Sequence, residues 1–266
     1  GGSLGWHDFL GSTARLFRHD PNYRIPVKAD PNIVINHIRE SHQILVDSLA
    51  PIGGIAIGGM YGVLYEDGNE LSFEVSIVGY IRDVVTQLKR GLNGFWVAHP
   101  SFVRIGIALV EAYRQKMKGD GASLVTLVTA LVPRLHVRKA LFDFIDGPDV
   151  DGLSRDNPMY PRGVLAADIA ESDVIQNHDP EEVRYNVFQA LQYLADWLSG
   201  NGCVALPATM KSHDGETVFV RVMDDLATTE RSRWELWAEL QHGRVSHEMF
   251  HGILDEEIEF IRTDRV

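Results

Sequence analysis

Gly53-Gly54-Ile55-Ala56-Ile57-Gly58-Gly59-Met60 is the stretch on which the fold turns. A short apolar run bounded by paired glycines reads as a buried strand feeding a tight loop. Ahead of it, residues 31–49 read as a helix. Ile35, Ile38, His42, Leu45, Val46 and Leu49 recur at three- and four-residue steps, and Pro31 suits a first turn. Behind it, residues 75–91 read as a second helix ending at Gly91, and Gly94-Phe95-Trp96-Val97-Ala98-His99-Pro100 as a second buried strand stopped by its proline. Alternation of helix and short apolar strand is the α/β signature, with the strand-end loops as candidate ligand sites.

From Phe102 onward the periodicity is mainly helical, broken by Asp146-Gly147-Pro148-Asp149 and by the loop from Asn157-Pro158 to Arg162-Gly163. Asp179-Pro180-Glu181-Glu182 reads as a helix start, with Asp179 as N-cap, Pro180 at the first position and Glu182 closing a capping box. That helix is expected to bury Val187, Leu191, Leu194 and Leu198 and to stop at Gly200. Cys203-Val204-Ala205-Leu206-Pro207 reads as a short segment leading into a loop, followed by closing helices near 229–241 and 246–262. No internal repeat or low-complexity tract is visible.

The 266 residues can bury a substantial core, and 45% hydrophobic with 23% charged residues is the make-up of a folded chain. The formal net charge of −12 repels nucleic acid and anionic membranes, so neither is an expected partner. A single cysteine, Cys203, forbids an intrachain disulfide and suits a reducing cytoplasm. No apolar run reaches the roughly 18 residues of a membrane helix. The chain opens Gly1-Gly2-Ser3 with no initiator Met or charged-then-apolar leader, which raises the expectation of a piece of a longer protein.

Several short patterns carry chemistry, and each has a plainer reading beside it. His247-Glu248-Met249-Phe250-His251 matches H-E-x-x-H, which on a helix can bind Zn²⁺ through two histidines. The plainer reading is an amphipathic terminal helix with Phe250, Ile253, Leu254, Ile258 and Ile261 as its core face. The glycine pairs 53/54 and 58/59 fit no nucleotide fingerprint and read as backbone packing or a strand-end turn. Asp224-Asp225 stands just before a helix start, either as cap and dipole partner or as a general base held in a loop. Asp8, among Trp6, His7 and Phe9, is a candidate Mg²⁺ ligand that would need further oxygen donors. Cys203 reads as an inert thiol unless a cation lies beside it.

In order along the chain these segments resemble malate synthase. Trp197-Leu198-Ser199-Gly200-Asn201-Gly202-Cys203-Val204 is similar to the family's W-L-x-G-N-G-C-V, and Met223-Asp224-Asp225-Leu226-Ala227-Thr228-Thr229-Glu230 to M-E-D-x-A-T-x-E, with Asp224 in place of Glu. Ala56-Ile57-Gly58-Gly59-Met60 and Trp96-Val97-Ala98-His99-Pro100 match A-I-G-G-M and W-V-A-H-P, and Trp6-His7-Asp8-Phe9 resembles R-W-D-Y with one extra residue. The resemblance runs almost end to end, but only against the family's C-terminal part.

It implies an α/β fold: a partial TIM (β/α)₈ barrel over 1–118, followed by an α-helical C-terminal domain over 119–266. Only about three α/β units are visible, whereas a complete barrel needs about 200 residues or more. It also implies a Mg²⁺-dependent condensation of acetyl-CoA with glyoxylate and hydrolysis of the thioester to malate and CoA, as in the glyoxylate bypass that feeds the tricarboxylic acid cycle. Asp225 matches the family's catalytic base and Asp8 its metal-binding Asp. Met60, Trp96, Pro100 and Cys203 match the acetyl-CoA and substrate pocket. The family's enolate-stabilising Arg and metal-binding Glu lie upstream of R-W-D-Y, so the missing N-terminal part is an expected partner, and this chain alone is expected to bind Mg²⁺ poorly and turn over slowly or not at all. The segment 147–168 fits the pattern poorly and is given no role. Alternatives are a non-catalytic or incomplete domain of the same fold, a related Mg²⁺-dependent CoA-ester lyase, and a zinc hydrolase using His247, Glu248 and His251.

Overall fold

The structure is a computed structural model that describes residues 1–31, 33–167 and 171–264, the Asp264 side chain excepted. Asn32, in the first expected helix, and Asp168, in the segment given no role, lie outside the described residues. The chain divides into two compact units. The first comprises residues 1–4, 42–150 and 205–223, and the second residues 5–41, 151–204 and 224–266. The boundary expected between 118 and 119 lies inside the first unit, in the turn between two helices.

The first unit is built on a parallel sheet in the order β1 (Gly2–Ser3), β2 (Ala56–Tyr61), β4 (Gly94–Val97). Both expected strands form. Between them lie a two-residue strand, β3 (Val63–Leu64), and α3 (Glu70–Lys89), which begins five residues before the periodicity suggests. The cause is Asn69, whose side chain accepts a hydrogen bond from Ser72 N at 3.0 Å and so starts the helix early. Helices α4 (Ser101–Met117), α5 (Ala122–Leu131) and α6 (Leu135–Asp146) complete an apolar core around Ile77, Tyr80, Ile81, Val84, Phe102, Leu109, Val128 and Leu141. Tyr80 stacks on Phe102 with ring centroids 4.6 Å apart.

The main departure from expectation is in residues 203–225. What reads as a short segment and a loop is a hairpin of two nine-residue strands, β5 (Cys203–Lys211) and β6 (Thr217–Asp225), joined antiparallel to β3 in the order β3-β6-β5. Pro207 suggests a stop. It is tolerated because β5 is an edge strand, where only alternate N–H groups face a neighbouring strand.

In the second unit α1 (Trp6–Phe17) packs against α9 (Leu226–Gln241), and α8 (Pro180–Leu198) packs against both α9 and α10 (His247–Asp264). The short helix α7 (Tyr160–Leu165) also belongs here. The helix expected over 31–49 is a π-helical stretch, Ile33–Ile38, running into α2 (Arg39–Leu49). The wider turn rephases its face, so Ile33 and His37 are buried while Ile35 is only half-buried. Asp179 caps α8 by accepting from Glu181 N at 2.9 Å. The expected capping box does not form, because Glu182 turns inward and accepts from Asn186. The expected apolar face of α8 also fails toward its end: Leu198 is 79% exposed, and the buried side carries Asn186, Gln189 and Gln192 instead. Among the described residues no helix is long and apolar enough to cross a membrane.

Candidate active site

At the end of β6 two consecutive aspartates take different environments. Strand alternation sends Asp224 inward, where it is buried, and leaves Asp225 half-buried. Asp225 is the N-cap of α9: its Oδ1 accepts from Ala227 N at 3.0 Å and from Thr228 N at 3.2 Å. Thr228 Oγ1 accepts in return from Asp225 N at 2.9 Å, completing a capping box. The described residues give Asp225 Oδ2 no hydrogen bond. The capping reading and the base reading are therefore compatible: one oxygen orients the carboxylate and the other stays available.

Asp8 lies in the first turn of α1 and is exposed. Its Oδ2 leans back over Gly5, where a Cβ would come within 2.4 Å of it, so a larger residue there would push the carboxylate aside. Its carboxyl titrates above the usual range, through burial first and the negative charge of Asp225 second. The structure thus brings Asp8 and Asp225 into one electrostatic neighbourhood. Beside Asp8, burial and the charges of Lys28 and Arg231 push His7 well below its usual value, which keeps the imidazole neutral.

Sequence reasoning missed the group behind Asp224. Lys28 Nζ lies 3.7 Å from Asp224 Oδ1, donates to Gln189 Oε1, and sits over the Tyr185 ring at 5.0 Å from its centroid. Burial, outweighing the neighbouring carboxylates, lowers Lys28 to about 8. Burial raises Asp224, opposed by Lys28. Arg231 and Glu235 form a fully buried ion pair one helical turn apart on α9, at 2.9 Å, and Arg231 also donates to Pro26 O and Asn186 Oδ1. The available signal for Lys28 was a lone charge closing the apolar run Ile25-Pro26-Val27.

In the first unit Met60 and Trp96 are register partners on β2 and β4, and both are largely exposed on an open sheet face. Trp96 Nε1 donates to Ser3 Oγ on β1 at 3.2 Å. Gly58 is crowded on the opposite face: a Cβ there would lie 1.8 Å from Gln87 Oε1 of α3, so Gln87 would have to shift. Pro100 follows β4 and occupies the N-cap position of α4, where His99 does the capping: its Nδ1 accepts from Ser101 N at 3.3 Å. Cys203 opens β5 as an exposed free thiol in the second unit.

A cavity of about 670 Å³ in the first unit is lined by Tyr65, Phe73, Glu74, Leu131, Pro133 and Arg134, none of them an expected site residue. Glu74 and Arg134 are already paired with each other there. His247 and His251 share the first turns of α10 with stacked rings 6.4 Å apart, while Ile253 turns into the core. Among the described residues no three His, Cys, Asp or Glu side chains are grouped to hold a metal ion. Among the described residues, then, neither the Zn²⁺ motif nor Asp8 belongs to a group of three such side chains.

A parallel sheet covered by helices in the first unit, and a mainly helical second unit presenting an anchored carboxylate, define a mixed α/β protein. Residues 3–126 match the family model "Malate synthase, TIM barrel domain", and residues 177–265 match "Malate synthase, C-terminal". The glyoxysomal malate synthase of Cucumis sativus is 23% identical over 276 residues, covering 98% of this chain and 40% of that protein. The malate synthase of Dictyostelium discoideum is 25% identical over 241 residues, covering 90% of this chain and 36% of that protein. The chain belongs to the malate synthase family. It spans about 40% of the length of the relatives it matches across almost its whole extent.

Proposed function

We propose that this chain carries malate synthase chemistry: condensation of acetyl-CoA with glyoxylate, then hydrolysis of the thioester to malate and CoA. The observation that carries the reading is the Asp225 carboxylate, oriented through Oδ1 by two backbone N–H groups and left with Oδ2 to meet a substrate. Asp225 acts as general base on the acetyl methyl group. The resulting enolate carbon bonds to the aldehyde carbon of glyoxylate, and water then cleaves the thioester and releases CoA. A methyl proton alpha to a thioester is weakly acidic, so the base must be held in reach and the enolate oxygen needs positive charge nearby. Met60, Trp96, Pro100 and Cys203 are assigned to the pocket on the family resemblance. Mg²⁺ belongs to the reading too, with Asp8 as the one ligand assigned here. The described residues do not complete its site, so no step above runs through it.

The same reading takes 1–118 as barrel and 119–266 as the C-terminal domain, and places the protein in a reducing cytoplasm on its lone thiol. It assigns the enolate-stabilising Arg and the second metal carboxylate to sequence upstream of Trp6-His7-Asp8-Phe9. A second reading is an incomplete site of the same fold, since Asp8 is not grouped with further metal-binding side chains among the described residues. Glyoxylate-dependent CoA release from acetyl-CoA, compared between wild type and Asp225→Asn, separates the two. Asn caps a helix about as well as Asp, so the variant removes the base and keeps the fold. Release lost in the variant supports the synthase. Absence of release from the wild type supports the incomplete site.

A further inference from the structure

We propose that Lys28 is a positioning residue for Asp225, acting through Asp224: its buried cation holds the inward carboxylate at the strand end and thereby sets where the outward one stands. The proposal rests on the reading of Asp225 as the general base.

The argument starts from adjacency. Asp224 and Asp225 are consecutive, one buried and one half-buried, and burial first, with the charge of Asp225 adding to it, disfavours the ionised form of Asp224. An ionised carboxylate at 1% exposure needs a cation or it takes up a proton. Lys28 supplies that cation at 3.7 Å. Lys28 is itself held on three sides, by its bond to Gln189, by the Tyr185 ring, and by Asp224. Gln189 is fixed in turn by Ser232 Oγ of α9, which donates to its Oε1 at 2.8 Å. The loop before α2, helix α8 and helix α9 thus converge on the two residues at which β6 becomes α9. The other charged groups facing Lys28 are Arg231, Glu182 and Glu235. Arg231 and Glu235 answer each other, while Lys28 is the cation acting on Asp224. Without Lys28, Asp224 would protonate or turn away. The cap bonds from Ala227 and Thr228 to Asp225 would then lose their fixed geometry, and with it the direction of Oδ2.

The test uses the 266-residue chain as Lys28→Met, Asp224→Asn and the double variant. Carboxyl-labelled aspartate spectra report the Asp224 titration, and the amide signals of Ala227 and Thr228 report the cap. In Lys28→Met the Asp224 midpoint rises and both amides shift, but in the Asp224→Asn background adding Lys28→Met leaves the amides where Asp224→Asn put them. In a chain that turns over, kcat of Lys28→Met falls about 10- to 100-fold with KM unchanged. An unmoved Asp224 midpoint, or the same amide shifts from Lys28→Met with and without Asp224, overturns the proposal. The background pair also serves if Lys28→Met alone fails to fold, since it removes the uncompensated charge. Wild-type chain without CoA release counts against the base reading alone, because the spectra still decide what Lys28 does.

Discussion

The two compact units solve the problem of an interior in opposite ways. In the first, the main buried cluster is the apolar set around Ile77, Tyr80, Phe102, Leu109 and Leu141. In the second, α8 and α9 bury Asn186, Gln189, Arg231, Ser232, Glu235 and Glu239 beside a smaller apolar cluster of Val183, Val187, Val245 and Ile253. An apolar interior tolerates volume-conserving change, while a polar one is sound only while every partner is present. The carboxylates of the candidate site stand at the edge of the polar interior, where burial can hold a charged group in a chosen direction.

The difference can be broken at several points. The largest effect is on activity: where the chain turns over, Asp225→Asn lowers kcat about 10²–10⁴-fold with the far-UV spectrum unchanged, the range lost with a general base. The next is on stability. Arg231→Met leaves Glu235 buried without its cation and costs about 3–5 kcal/mol by urea unfolding. Adding Glu235→Leu recovers much of that, which distinguishes a stranded charge from lost packing. In the first unit Leu109→Ala costs about 2–5 kcal/mol through transfer and cavity terms, and no second substitution of a charge rescues it.

A pH experiment sharpens the contrast. In the first unit Asp83 is a carboxyl pushed by burial to about 6, opposed by its bond from Gln87 and by Arg90. Between the unfolded value near 4 and that folded value, the folded chain holds a proton that the unfolded chain does not. Its contribution therefore falls as pH rises from about 4 to 6, and Asp83→Asn flattens that part of the urea-midpoint profile. The smallest effect is at helix ends and faces. Asp179→Ala costs about 1 kcal/mol of α8 capping, and Leu198→Gln, on a face that periodicity marks as core, changes stability by less than about 0.5 kcal/mol.

Sequence patterns made the parallel sheet of the first unit legible and left its antiparallel hairpin and the polar interior of the second unit hidden. Hydrophobic periodicity detects transfer free energy, so it found β2, β4, the body of α3 and the start of α8. It could not see that α8 turns amides inward, because Gln189 and Asn186 are buried by their partners on α9 rather than by their own chemistry. The same blindness hid Lys28. Pro207 hid the hairpin, since a proline forbids a central strand but not an edge. His99 was visible only as part of a matched segment, and its work as a helix cap needed coordinates. Asp225 was legible as a cap, which the structure shows, and as a candidate base, a role its second oxygen allows.

That proline on β5 also bears on how the protein behaves in company. A nine-residue strand at the margin of a sheet offers unpaired amides as a template on which another molecule's strand can grow. At position 207 the template has no amide hydrogen to offer, so an incoming strand would meet a gap in the middle of its ladder. The hairpin keeps its length while being a poor seed for aggregation. Pro207→Val would reveal that protection as faster self-association in concentrated solution.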